Sequence, residues 1–147
     1  MKRFRYSLES LMRLKQARLD DELSKLEQIS AGIAEVDRHR AELDQMNRDA
    51  ARAAAGANAL EGWQLSCLHQ FRRFARQEDR RLEGMRDQLA DQLEDQRLKV
   101  VEAHKKVRIL EVLKEKRLED WRIELDREQE QAVSDVVVAR WAVRPKK

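Results

Sequence analysis

LEGMRDQLADQLEDQRLKVVEAHKKVRIL, residues 82–110, is the stretch that decides the fold. Its apolar residues return at alternating intervals of three and four: Leu82, Met85, Leu89, Leu93, Val100, Ala103, Val107 and Leu110. The pattern runs back through Ala75 and Phe71 to Leu68, and forward through Leu113, Leu118 and Trp121 to Leu125. Glu78, Gln96 and Glu128 fill the polar slots, Gly84 is the only glycine from Leu68 to Leu125, and no proline interrupts. A heptad repeat sustained over this length is the seam of a coiled coil. A helix with a single apolar stripe is unstable alone in water, so a partner is required.

The partner lies upstream. Leu8, Leu11 or Met12, Leu19, Leu23, Leu26, Ile29, Ile33, Val36, Leu43 and Met46 form a second seam, with Lys15 and Arg40 at two of its slots. Long aliphatic stems can pack there while their charges reach water. Ser7 is suited to N-cap this helix, and Gly32 costs it about 1 kcal/mol relative to alanine. Between Ala51 and Gly62 the seam lapses into alanines with Gly56, Asn58 and Gly62, and no large apolar residue precedes Leu60. Gly56 can end a helix in the left-handed conformation, and Asn58 with Glu61 forms a capping box for the next.

The expected fold is therefore all-α. It is a long antiparallel two-helix coiled-coil hairpin in a single domain, 1–147, with the second helix longer than the first. Helix 1 covers about 5–54, the turn about 55–59 and helix 2 about 60–141, stopping before Pro145, and 142–147 is a frayed tail.

Composition agrees. The 147 residues are 40% charged and 5% aromatic, with four glycines and one proline, which excludes the turn-rich sandwiches, barrels and wound sheets. The net charge is +3 from 31 basic and 28 acidic residues, interleaved as on a solvated coiled-coil surface. Nucleic-acid binding calls for basic residues free of acids, whereas Glu78, Asp79 and Glu83 stand among the arginines. A single cysteine, Cys67, suits a reducing compartment. There is no signal peptide and no run long enough to span a membrane. His39, His69 and His104 are scattered, and Cys67 with His69 does not make a ligand set. We find no catalytic, cofactor-binding or metal motif.

A bend near residue 56 sets a register in which Leu26 meets Met85 or Arg86, Leu23 meets Leu89, Leu19 meets Leu93 and Met12 meets Val100. Helix 1 then runs out at Phe4, opposite Arg108. Residues from Leu113 onward, about 30 of them and roughly 45 Å of helix, carry an apolar stripe with no partner in the chain. Such a stripe marks an interaction site. Near the turn, Trp63, Leu65, Leu68, Phe71 and Phe74 gather within about four turns, ringed by Arg72, Arg73, Arg76, Arg80 and Arg81. Aromatics anchor interfaces, and these arginines call for an acidic partner.

The opening Phe4-Arg5-Tyr6-Ser7-Leu8-Glu9-Ser10-Leu11-Met12 resembles the FxxxLExLL start of the FliJ family of bacterial flagellar type III export, with Met12 replacing the second leucine. Leu110-Glu111-Val112-Leu113-Lys114-Glu115-Lys116-Arg117, followed by Trp121, is similar to that family's later LExLKExR region. The resemblance implies a non-enzymatic stalk, like the coiled-coil gamma subunit of rotary ATPases. One end enters the hexameric flagellar export ATPase and promotes its assembly. The hairpin side reaches the membrane-embedded export gate protein FlhA, and the family also handles unloaded export chaperones. On this resemblance Leu113, Arg117, Leu118, Trp121 and Leu125 are candidates for the ATPase ring, and Phe71, Phe74 and Arg76 for the gate. It implies a cytoplasmic protein, peripheral to the membrane through the export apparatus. The alternatives are the equivalent stalk of a virulence injectisome, or a structural coiled coil that self-associates through its overhang.

Overall fold

The computed structural model describes residues 3–142. Two helices, α1 (Glu9–Gly56) and α2 (Gly62–Ala142), pack against one another as a helical hairpin, with no strand among the described residues. Helix α2 has 81 residues and α1 has 48, so the expected all-α hairpin with a longer second helix is what forms. The chain divides into two compact units, one of Asp20–Glu102 and one joining Met1–Leu19 to Ala103–Lys147.

In the Asp20–Glu102 unit, Val36, Ala75 and Leu82 are buried along the seam. The helices are antiparallel: Glu22 pairs with Gln96, Asp37 with Arg86, and Arg40 with Asp79. Gly32 lies against Leu89. The expected partner of Leu89 was Leu23, so the register is displaced by roughly one heptad. The connection explains the displacement, because it is residues 57–61 rather than a bend at 56. Moving the bend centre by three residues moves every opposing partner by twice that number.

The cap of α2 moves with it. Gln64 Oε1 accepts a hydrogen bond from the Glu61 backbone N–H at 3.0 Å, and Gln64 and Leu65 donate to the Glu61 carbonyl. Gln64 thus supplies one arm of a capping box to Glu61, in place of the box expected of Asn58 and Glu61. Gly56 stays within α1, and no described glycine has a positive φ. Three seam slots differ from expectation for a related reason. Leu23 and Met46 are exposed while Glu22 and Asn47 turn inward, and Met85 is exposed while Arg86 is half-buried.

In the other unit, Tyr6, Leu19, Val107 and Leu110 are buried. Helix α1 starts at Glu9 instead of about residue 5, and its first ladder bond runs from Met12 N–H to the Leu8 carbonyl at 2.9 Å. Ser7 therefore lies outside the cap position, and its hydroxyl accepts from Arg117 Nη1 at 2.8 Å. Residues 3–6 are non-helical, with Phe4 and Tyr6 sheltered and Arg3 and Arg5 exposed. This alternation suits an extended segment laid on a surface. Of the tail expected to fray over 142–147, Ala142 is the last residue of α2, and 143–147 lie outside the described residues.

Candidate partner-binding surfaces

The extended segment decides where α2 becomes free. The Tyr6 hydroxyl donates to the Leu110 carbonyl at 3.0 Å. Lys114 Nζ and Arg117 Cζ stand 5.9 Å and 5.8 Å from the Tyr6 ring centroid, within cation–π reach. Lys114 also pairs with Glu9 at 2.9 Å. One helical turn beyond Arg117, the Phe4 ring meets Trp121 at 5.9 Å with an interplanar angle of 58°, a tilted arrangement favoured by ring quadrupoles.

The stripe expected to be unpartnered from Leu113 is thus covered as far as Trp121. Leu113, Leu118, Trp121 and Leu125 are half-buried, and Arg117 is exposed but bonded to Ser7. Sequence reasoning missed Tyr6 and Phe4 as packing residues. Their signal was the alternation of aromatic and basic residues over 3–6, which does not fit a helical period. Every residue from Asp126 to Ala142 is exposed. Val133, Val136, Val137 and Trp141 lie there, the last at 70% exposure. Val133, Val136, Val137 and Val138 thus form an exposed apolar stripe on this shorter overhang.

The turn-proximal surface belongs to the Asp20–Glu102 unit. Phe71 is half-buried in the seam, whereas Phe74 at 56% and Trp63 at 64% are exposed. The Trp63 indole N–H donates to the Glu61 carboxylate, which orients the ring without covering it. Arg81 bonds Glu78 one turn away, which holds the Glu78 carboxyl below its ordinary range. Arg72, Arg73, Arg76 and Arg80 make no such pair among the described residues, so this face is net basic. Arg76 lines a cleft with Arg40, Asn47, Ala75 and Asp79. Asn47 Oδ1 is buried there without a hydrogen-bond partner.

Two polar layers cross the seam of this unit. Gln96 donates to the Glu22 carbonyl at 2.9 Å and to the Glu22 carboxylate, and this amide holds the carboxyl below its usual value. Arg40 Nε donates to Asp79 at 2.8 Å and Nη2 to its other oxygen, lowering the Asp79 carboxyl and raising the guanidinium.

Among the described residues no cluster of His, Cys, Asp and Glu is placed to hold a metal, and no helix is long and apolar enough to cross a membrane. Comparison with curated proteins and with solved structures gave no match. A family model, that of the flagellar FliJ protein, matches residues 4–147. With a helical hairpin beneath it and a match over nearly its whole length, the chain belongs to the FliJ family of flagellar export coiled-coil proteins.

Proposed function

We propose that this protein is the non-enzymatic stalk of the flagellar export apparatus. In this reading the overhang end enters the ring of the hexameric export ATPase and promotes its assembly and turnover. The turn-proximal surface, through Phe71, Phe74 and Arg76, reaches the export gate protein FlhA, and the chain escorts export chaperones. It works in the cytoplasm, peripheral to the membrane through these partners. The observation that carries the reading is the exposed valine stripe of residues 133–137, which continues α2 beyond the last cover that the N-terminal segment provides. A helix stripe of this kind is stable in water only against a partner.

In this reading the ring contact is sought on the overhang. Leu113, Arg117, Leu118 and Trp121 are committed to packing or hydrogen bonds within the chain, while Leu125 stands at the edge of the free overhang. The test compares turnover and ring assembly of the cognate ATPase with the full chain and with a chain ending at Leu125. Stimulation by the full chain and none by the truncated one is expected. Equal stimulation by both would move the ring contact away from the overhang, and stimulation by neither would sink the stalk reading.

A further inference from the structure

In the unit that joins Met1–Leu19 to Ala103–Lys147, the two flanks of the seam differ in chemistry. One flank carries the residues that directly follow a seam slot, Glu9 after Leu8 and Glu111 after Leu110. It is laced with ion pairs: Glu9 with Lys114 and Arg13, and Arg108 with Glu111 and Glu115. The other flank carries the residues one place before a seam slot. These are Leu11 and Arg18 on α1, before Met12 and Leu19, and Lys106 and Leu113 on α2, before Val107 and its heptad successor Lys114. The Arg117–Ser7 bond fixes the register of this flank. Four residues inward from that bond on both helices, Leu11 falls level with Leu113; eleven residues inward, Arg18 falls level with Lys106. Five residues inward from the Glu9–Lys114 pair, Leu14 falls level with Ile109. Leu14 lies three residues after Leu11 and four before Arg18, on the same face of α1.

Leu11, Leu14 and Ile109 are exposed at 39%, 50% and 66%, and Leu113 is half-buried. Arg18 and Lys106 are exposed and have no ion-pair or hydrogen-bond partner. No acid stands among them on this flank; the first, Asp120, comes seven residues after Leu113. Flanking charges of an antiparallel coiled coil ordinarily pair across the seam, whereas two cations set side by side repel. The flank is therefore an aliphatic groove about two turns, roughly 10 Å, long, closed at one end by paired cations. That outline fits the apolar face of a helix with carboxylates one turn beyond its last apolar contact. A second copy of this chain would bring the same cations to the groove, so like charge opposes self-association here. We infer that this flank docks an acidic amphipathic helix of a partner protein. The helix lays its apolar residues between Leu11, Leu14, Ile109 and Leu113, and its carboxylates meet Arg18 and Lys106. None of these residues belongs to the overhang, so the inference stands or fails separately from the stalk reading.

The groove is small, and its area fits a Kd of about 100 μM. The probe is a fluorescein-labelled synthetic helix with leucines on one face over two turns and glutamates in the next turn. Its binding to the full chain is read by fluorescence anisotropy, and Tm and helicity of every variant by circular dichroism. Arg18→Glu is expected to weaken binding about tenfold. The same change sets a carboxylate level with Lys106, so Tm should hold or rise, which separates lost docking from lost folding. Leu14→Ala should weaken binding about threefold. Arg13→Glu, an equal change of charge on the other flank, should leave it within about twofold of the parent. Saturable binding with this pattern supports the inference. It is overturned by absence of binding, or by equal affinity for a probe with lysines in place of the glutamates. It is also overturned if Arg13→Glu weakens binding as much as Arg18→Glu. Binding to phosphatidylserine vesicles that Arg18→Glu abolishes, with none to the peptide, would give the groove to a membrane instead.

Discussion

The side-chain amide of Gln96, buried at 5% exposure, donates to the backbone carbonyl of Glu22 at 2.9 Å across the α1–α2 seam. An apolar seam alone is indifferent to sliding by a heptad, because leucine meets leucine either way. Displaced by one heptad, Gln96 would face Lys15 or Ile29, whose backbone carbonyls replace that of Glu22 but whose side chains supply no carboxylate. A hydrogen bond to a charged group contributes about 1.5–3 kcal/mol. Gln96→Leu is therefore expected to leave thermal stability unchanged or to raise it by about 1–3 kcal/mol, while relaxing the register. In a Cys67→Ser background, the cysteine pairs 32/89 and 32/82 distinguish the native register from the displaced one. The parent should cross-link only the first, and Gln96→Leu both. Exclusive 32/89 cross-linking in the variant would show that the amide does not set register.

Gly32 weakens α1 without an evident need for glycine. A Cβ there would meet Leu89 Cδ1 at 3.6 Å, an ordinary van der Waals distance, and the backbone has no positive φ. Gly32→Ala should stabilise the protein by about 1 kcal/mol, which corresponds to a rise in Tm of about 3 °C for a chain of this size. A fall in Tm on thermal melting would mean that Leu89 cannot accommodate the methyl group.

The N-terminal segment should behave as a packed strap. Tyr6→Phe removes the bond to the Leu110 carbonyl and is expected to cost about 1 kcal/mol. Phe4→Ala uncovers Trp121. With Trp63 and Trp141 replaced by Phe, the remaining indole emission should shift to the red in Phe4→Ala, with little change in helicity. The same emission in both proteins would mean that Phe4 does not shield the ring. Trp121→Ala is accordingly expected to lower stability as well as any partner affinity, since the residue packs against Phe4.

Acid should loosen the Asp20–Glu102 unit through Asp79 and Glu22. Asp79 is held below its ordinary 3.8, first by the hydrogen bond from Arg40, and Glu22 below 4.5, first by the Gln96 amide. A carboxyl whose folded pKa is depressed contributes stability above its unfolded value, and the contribution disappears as pH falls through the folded value. Tm should be flat through neutral pH and begin to fall as pH drops below about 4.5. Asp79→Asn should lower Tm at neutral pH and make the acid limb shallower. Both partners are partly exposed, so the difference should narrow at high salt. Parallel acid limbs for the two proteins, read by circular dichroism, would exclude a contribution from Arg40–Asp79.

The heptad spacing of Leu68 to Leu125, the alanine-rich interruption before Gly62 and the paucity of glycine and proline determined by themselves that this chain is a two-helix hairpin with a longer second arm. Those features are local, and helical periodicity reports them directly. The opening FRYSLESL and the later LEVLKEKR were likewise enough to indicate the family that the whole-chain comparison shows. Register, the start of α1 and the extent of the overhang were left to the tertiary structure. A repeat of seven is degenerate to shifts of seven, so only contacts between residues distant in sequence select among the registers. Gln96 on Glu22 and Arg40 on Asp79 make that selection in one unit, and Tyr6 on Leu110 with Phe4 on Trp121 in the other. The last pair carries the largest consequence. By leaving the helical path before Glu9, the first residues reach along α2 to Trp121, and the uncovered part of the stripe begins only beyond Leu125.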